Sequence, residues 1–207
     1  MSDDKDVRTR NIALAITGAS GALYGVRTLA ALLAHGCEVD LVVTEFGRRL
    51  LRDELGEAAA VDRLTDYLVG KYGESVRRGR CTLHSNRDVG AKLASGSQSC
   101  EGMVIVPCSM KTMAAIAHGL SRTLVERAAD VMLKERRRLV IVPRETPLSL
   151  MQLRNMVACA EAGATVLPAM PAFYQMPKTI DDLADFLAGK ILASLGFEHD
   201  LYPPWKG

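Results

Sequence analysis

Apolar residues fall in two rhythms along this chain, and the alternation between them outlines an α/β domain. Residues 12–16 (Ile-Ala-Leu-Ala-Ile) are apolar without a break, which suits a strand buried on both faces of a parallel sheet. Thr17-Gly18-Ala19-Ser20-Gly21 follows at once. Apolar positions then return at Leu23, Val26, Ala30 and Leu33, the spacing of one helix face. The same change of rhythm predicts further strands over 37–44, 80–84, 103–106, 139–142 and 164–167. Between them, 45–72 has a mostly helical pattern with Gly56 and Gly70 as breaks, and 86–93 reads as a short helix before a loop at 94–97. A helix is expected from about 112 to 118. Another runs from a Ser121 cap to about 136, with Leu124, Ala128, Val131 and Met132 on its apolar side. Ser149 opens a helix that Gly163 ends, and Thr179 caps a last helix to about 195. The stretch 202–205 is too proline-rich for regular structure.

Strands alternating with helices predict a doubly wound parallel sheet, whose ligands bind at the C-terminal ends of the strands. A single domain over 1–207 is expected. Residues 1–10 form a polar N-terminal extension, and 196–207 a tail packing near the site or a neighbouring subunit.

Composition narrows the picture. With 48% hydrophobic residues the chain is globular, and a net charge of +2 gives no case for nucleic acid. No apolar run has the character of a signal peptide or the length of a membrane span. The five cysteines (Cys37, Cys81, Cys100, Cys108, Cys159) are odd in number and include no Cys-x-x-Cys pair, as expected of reduced thiols in the cytoplasm. The four histidines lack metal-site spacing.

Candidate chemistry gathers at the predicted strand ends. The glycine loop at 17–21 leads into a helix N-terminus, where bare amides attract anions; it is either a phosphate seat or a plain strand–helix turn. Arg127 and Lys134 are seven apart and so share a helix face. Lys190 sits among Leu183, Phe186 and Leu187, and Arg144 follows a strand. Each could cap a helix or pair with Asp130 or Glu135, but all four converging on strand ends favour an anionic ligand with more than one phosphate. Glu145 and Glu54 are the acid–base candidates, the latter equally readable as a solvated helix residue.

Three patterns mislead. Thr17-Gly18-Ala19-Ser20-Gly21 evokes the nucleotide loop of short-chain dehydrogenases, with Glu45 at the second strand's end able to hold a ribose, and Tyr67-x-x-x-Lys71 has their spacing but comes too early in the chain. Asp181-Asp182-x-x-Asp185 has a magnesium-site spacing, but its acids suit the dipole of a helix start. The run 134–138 reads as a solvated helix end.

Taken together, these stretches resemble the flavin prenyltransferases of the UbiX family over nearly the whole chain. The landmarks are Thr17-Gly-Ala-Ser-Gly-Ala-Leu-Tyr-Gly25, Pro107-Cys-Ser109, Glu126-Arg-Ala-Ala-Asp-Val-Met-Leu-Lys-Glu-Arg-Arg137, Pro143-Arg-Glu-Thr-Pro147 and Pro171-Ala-Phe-Tyr174. The resemblance implies a flavodoxin-like, Rossmann-type three-layer fold, FMN as the bound flavin, and a homo-oligomer, commonly a dodecamer. It implies transfer of a dimethylallyl group from dimethylallyl phosphate to reduced FMN, without a metal. The prenylated FMN would serve a UbiD-type decarboxylase. Carried over by position, Gly18, Ala19, Ser20, Thr44, Ser109, Met110, Lys111, Thr112 and Arg144 would hold FMN. Tyr174, Lys190, Lys134 and Arg127 would bind the prenyl phosphate, Arg127 from the wall between subunits. Glu145 would handle the proton on the leaving phosphate, and Ser20 with Glu54 the proton lost when the flavin ring closes. Residues 94–97 and Trp205 would pack near the flavin and prenyl groups.

Three positions depart from the family pattern. Glu45 stands where Lys or Arg is frequent, Lys190 replaces a frequent Arg, and Arg138 a frequent Pro. Lys190 keeps the charge but loses the bidentate fork. The rivals are a flavin-dependent cysteine decarboxylase, an NAD-dependent reductase and a non-catalytic flavin carrier. A cysteine decarboxylase would carry Pro-Ala-Ser-Ala-Asn-Thr and Pro-x-Met-Asn where this chain has Pro107-Cys-Ser-Met-Lys-Thr112 and Pro143-Arg-Glu-Thr-Pro147.

Overall fold

The structure, a computed structural model, describes residues 9–97 and 99–203. Six parallel strands form one sheet in the order β3-β2-β1-β4-β5-β6: β1 (Asn11–Ile16), β2 (Glu38–Val43), β3 (Arg80–His84), β4 (Gly102–Cys108), β5 (Arg138–Pro143) and β6 (Thr165–Val166). Without the edge strand β3 this is the flavodoxin-like order; β3 extends it to the Rossmann order. The chain reverses direction across the sheet between β1 and β4, and loops from both leave at the switch point.

The two faces of β1 differ in bulk. Ile12, Leu14 and Ile16 point into one core, with α1 (Ala22–Ala34), α2 (Glu45–Leu55), α3 (Leu64–Tyr72) and α7 (Ile180–Ser194). Ala13 and Ala15 point into the other, with α4 (Met110–Ala117), α5 (Leu124–Lys134) and α6 (Leu150–Glu161). All seven residues of β4 are buried, as expected of a strand covered on both sides. Two glycines let helices approach the sheet. A Cβ on Gly25 would lie 2.7 Å from the Val106 carbonyl oxygen, and one on Gly47 2.5 Å from that of Ile16.

Several expected elements differ. No α-helix forms over 86–93; a 3-10 turn at Lys92–Ala94 is the only helical piece there. The segment Asp88-Val-Gly-Ala is too short in apolar periodicity to hold a helix, and Asp88 instead turns the chain by accepting from the Gly90 N–H. Gly70 does not break α3, which runs through it to Tyr72. The cap of α5 is Thr123 rather than Ser121, because Thr123 and Glu126 form a reciprocal capping box. Of the expected N-terminal extension only residues 9 and 10 are described. Arg10 pairs with Glu101 at 2.8 Å, donates to the carbonyls of Leu195 and Gly196, and stacks over Phe197. The described part of the tail folds back on α7, where the missing side chain of Gly189 makes room for His199 and Tyr202. Trp205 lies outside the described residues.

Candidate active site

Four loops meet at the C-terminal edge of the sheet: 17–21 after β1, 44–46 after β2, 107–112 after β4 and 144–148 after β5. Thr17, fully buried, ties the first to the third. Its hydroxyl donates to the Pro107 carbonyl at 2.8 Å and accepts from the Ser109 N–H at 2.7 Å. Arg144 ties the first to the fourth, its Nε donating to the Ser20 carbonyl at 3.0 Å. Glu54 reaches over from α2 and accepts from the N–H groups of Gly21 (2.9 Å) and Ala22 (2.8 Å). Glu54 is therefore neither a free acid nor a plain solvated residue. It already fills the anion seat at the start of α1.

The other helix starts can be assessed in the same way. Asn86 closes α5: its carbonyl accepts from Leu124 N–H and its Oδ1 from Val125 N–H, and the Thr123 hydroxyl takes Glu126 N–H. On α2 and α4 the caps are lighter. The Thr44 hydroxyl accepts from Gly47 N–H, and the Ser109 hydroxyl accepts from Thr112 N–H and shares a hydrogen bond with the Thr112 hydroxyl, so the first amides of both helices have no partner within the helix. These two starts border a cleft of about 300 Å³, lined by Gly18, Thr44, Glu45, Phe46, Ser109, Lys111 and Thr112, with Asn86, Thr123, Val125 and Glu126 completing it. A Cβ on Gly18 would fall 2.7 Å from that of Phe46, so only glycine keeps this wall open. Two helix dipoles and the Lys111 ammonium favour an anion here, against the exposed carboxylate of Glu45. A larger hollow, about 630 Å³, lies between α1, residues 72–78 and the tail. It contains none of the residues expected at the site, so the chemistry follows the smaller cleft.

The expected residues therefore divide. Gly18, Ala19, Ser20, Thr44, Glu54, Ser109, Met110, Lys111, Thr112, Arg144 and Glu145 share the C-terminal edge. Glu145 is exposed and its Oε1 accepts from Thr146 N–H at 3.0 Å. The four cations do not converge there within one chain, contrary to expectation. α5 runs back along the sheet, so Lys134 lies four residues before β5 begins, at the N-terminal edge; a six-residue strand separates the edges by roughly 20 Å. There Lys134 pairs with Glu135, whose carboxyl it holds below the usual range. The loop 94–97 is at that same edge, since the Gly96 carbonyl accepts from Arg137 and a Cβ on Gly96 would meet Lys134 and Glu135. Arg127, on α5, pairs with Asp130 at 2.9 Å. Lys190, expected on the buried face of the last helix, is exposed, with its ammonium 5.5 Å from the Phe186 ring centre. Tyr174 stacks edge-on against the same ring.

The misleading patterns resolve into ordinary pairing. Lys71 pairs with Asp181 at 2.9 Å and Arg27 with Asp185. Asp182 caps α7, its carboxyl held low by the N–H groups of Lys178 and Thr179. The run 134–138 is less solvated than expected: besides Arg137, Arg138 donates to the Leu195 carbonyl at 3.0 Å. The five cysteines are free thiols; burial pushes Cys37, Cys81 and Cys159 up to about 11, which keeps them protonated and unreactive. No helix among the described residues is long and apolar enough to cross a membrane.

Sequence reasoning missed Thr17 and Asn86. Thr17 opens the glycine motif, but its partners are about ninety residues away; Asn86 lay in a segment read as helix.

The Flavoprotein family profile matches residues 1–192. The flavin prenyltransferase UbiX of Halalkalibacterium halodurans is 49% identical over 195 residues, covering 92% of this chain and 90% of that protein. The structure of AnUbiX (PadA1) in complex with FMN and dimethylallyl pyrophosphate superposes with a TM-score of 0.85 at 38% identity, over 97% of this chain and 99% of that one. A dodecameric FMN-dependent UbiX-like decarboxylase from Escherichia coli superposes with a TM-score of 0.82 at 37% identity, over 95% and 100% of the two chains.

Proposed function

Because the chain belongs to the flavoprotein family, and within it to the flavin prenyltransferases of the UbiX type, we propose that it transfers a dimethylallyl group from dimethylallyl phosphate to reduced FMN. Reduced FMN supplies the nucleophilic ring that accepts the prenyl group, and the product serves a UbiD-type decarboxylase in the cytoplasm.

The cleft fits a flavin monophosphate. With the amides of α1 taken by Glu54, the flavin phosphate belongs at the starts of α2 and α4, against Thr44, Ser109, Lys111 and Thr112, with Met110 opening α4. Gly18, Ala19 and Ser20 form the wall beside it. Arg144 fixes that wall through the Ser20 carbonyl. Glu54 and Ser20 are close in the same loop network, placed to carry a proton away from the ring.

An allylic monophosphate is a poor leaving group, so cations and an acid must stabilise the departing charge. Glu145 protonates it. Lys134, Arg127, Tyr174 and Lys190 hold it, so no metal is needed. Because Lys134 and the 94–97 loop occupy the opposite edge of the sheet, a second copy of the chain supplies them to the cleft, in a homo-oligomer such as a dodecamer. Tyr174 shields the allylic centre from water.

The observation that carries this reading is the open pair of helix starts on α2 and α4 beside a loop held by both Glu54 and Arg144. Incubating the protein with dithionite-reduced FMN and dimethylallyl phosphate, in the presence of EDTA, should yield a flavin heavier by one prenyl unit. Parallel runs with the diphosphate tell which donor is taken. Unchanged FMN with either donor overturns the reading, and turnover that stops with EDTA and returns with magnesium overturns its metal-free form.

A further inference from the structure

Asp40 is the only charged side chain among the described residues that is buried. It interrupts the apolar run of β2 and pairs in register with Ala13 of β1 and Thr82 of β3. Its side chain shares a sheet face with Val42, on the side that carries α4 and α5. One of its oxygens, Oδ1, takes two partners from further along the chain: His84 Nε2 lies 2.7 Å away and Lys92 Nζ 3.2 Å away. The other, Oδ2, is buried with no hydrogen-bond partner among the described residues. A buried carboxylate satisfied on one oxygen is a weak source of stability, and an apolar residue of similar volume often serves as well or better. Nor is this a metal centre, since among the described residues no three His, Cys, Asp or Glu side chains are grouped to hold an ion. What the carboxylate supplies is geometry.

His84 and Lys92 are the two ends of one loop. His84 closes β3, and Lys92 opens the 3-10 turn Lys92–Ala94. Between them the backbone turns on itself, with Asp88 N–H donating to the Ser85 carbonyl at 3.0 Å and Ala91 N–H to the Asp88 carbonyl at 3.2 Å. Asn86 ties the outer part of this loop to the start of α5 and lines the cleft. Asp40 closes its base by holding both ends on one oxygen. The 94–97 loop follows Lys92 directly, past the buried Leu93, and runs to the N-terminal edge of the sheet. A lysine free in water samples many rotamers, so it is the buried charge that keeps Lys92, and the turn it opens, in one place.

We propose that Asp40 is a positioning residue for prenyl transfer: by gripping Lys92 it fixes where, and in which direction, the 94–97 loop leaves the sheet. This rests on the function proposed above, which sets that loop against the flavin and prenyl groups. Asp40 touches neither group and acts through Lys92 and the turn.

Hydrogen-exchange mass spectrometry and steady-state kinetics on the full chain test it. In Asp40→Leu and in Lys92→Met, the amides of 92–97 should exchange roughly tenfold faster or more, while those of β1 and β4 keep their rates. With reduced FMN, kcat/KM for dimethylallyl phosphate should fall roughly tenfold or more. The melting temperature should stay within about 3 °C of the wild type, less than a loss of 1–2 kcal/mol would produce. The double variant should lose no more kcat/KM than the worse single one, because both substitutions remove the same contact. Asp40→Asn keeps an acceptor oxygen in place and should restore most of the activity. If Asp40→Leu prevents folding, Lys92→Met carries the test, since its half-exposed side chain leaves the core untouched.

Unchanged exchange at 92–97 in the folded variants overturns the positioning. Faster exchange with unchanged kcat/KM overturns its role in the reaction. Activity and melting temperature falling together, with exchange rising throughout the sheet, would make Asp40 a residue of the fold and overturn the proposal too. A wild type that transfers no prenyl group overturns the proposed function first, and the role of Asp40 in it falls with it.

Discussion

Glu54 accepts from two amides of α1, and that single contact redirects the reading of the glycine loop. From the sequence the loop is either a phosphate seat or a plain strand–helix turn; in the structure a carboxylate of the same chain sits on its amides, and the flavin phosphate is proposed to lie at the starts of α2 and α4. Nothing in the spacing of residues 21 and 54 announces this, because the contact depends on how α2 lies across α1. Thr17 and Asn86 escaped for the same reason: each acts on a backbone amide far away in the chain. Glu145 was legible, because its loop follows an unmistakable buried strand and ends in proline. Among the described residues, its exposed carboxylate is hydrogen-bonded to the N–H of its neighbour Thr146. Glu145→Gln should therefore leave FMN affinity nearly unchanged while slowing prenyl transfer by roughly 10²–10⁴-fold, the usual contribution of a general acid. Flavin titration and single-turnover kinetics on the one variant measure both, and normal turnover would remove Glu145 from the mechanism.

Elements were more legible than contacts. Uninterrupted apolar runs gave β1, β4 and β5, since a strand covered on both faces has no alternative place for those side chains. The errors fell where local signals compete. Gly70 looks like a helix break, yet the glycine is exposed inside α3, with open space where a Cβ would stand, so it is merely a weak helix residue. Gly47 is the reverse, a glycine that the packing requires. Gly47→Ala should push α2 off β1 and destabilise the protein by about 1–3 kcal/mol, with weaker FMN binding as Thr44 moves. Gly70→Ala should stabilise it by about 0.5–1 kcal/mol. Urea unfolding of the two variants reads the difference in sign, and equal effects would mean that close approach to Ile16 does not set the position of α2.

At the scale of the whole molecule, the cations were recognised but their meeting place was not. Residue spacing says which helix face a side chain occupies; it does not say at which end of the sheet that helix stops. Lys134 stops at the edge opposite Glu145, and the 94–97 loop stops beside it. The proposed division of the site, with the flavin cleft at one edge and Lys134 at the other, has a genetic signature. Two inactive alleles, Glu145→Gln and Lys134→Met, damage different halves of the site. When the two chains are co-expressed and assemble at random, about a quarter of the sites combine an intact half from each, so activity should reappear in the mixture. Separately purified pools mixed without subunit exchange should stay inactive. Co-expressed chains that assemble together yet remain inactive would place both residues in one protomer's site, against the geometry of α5.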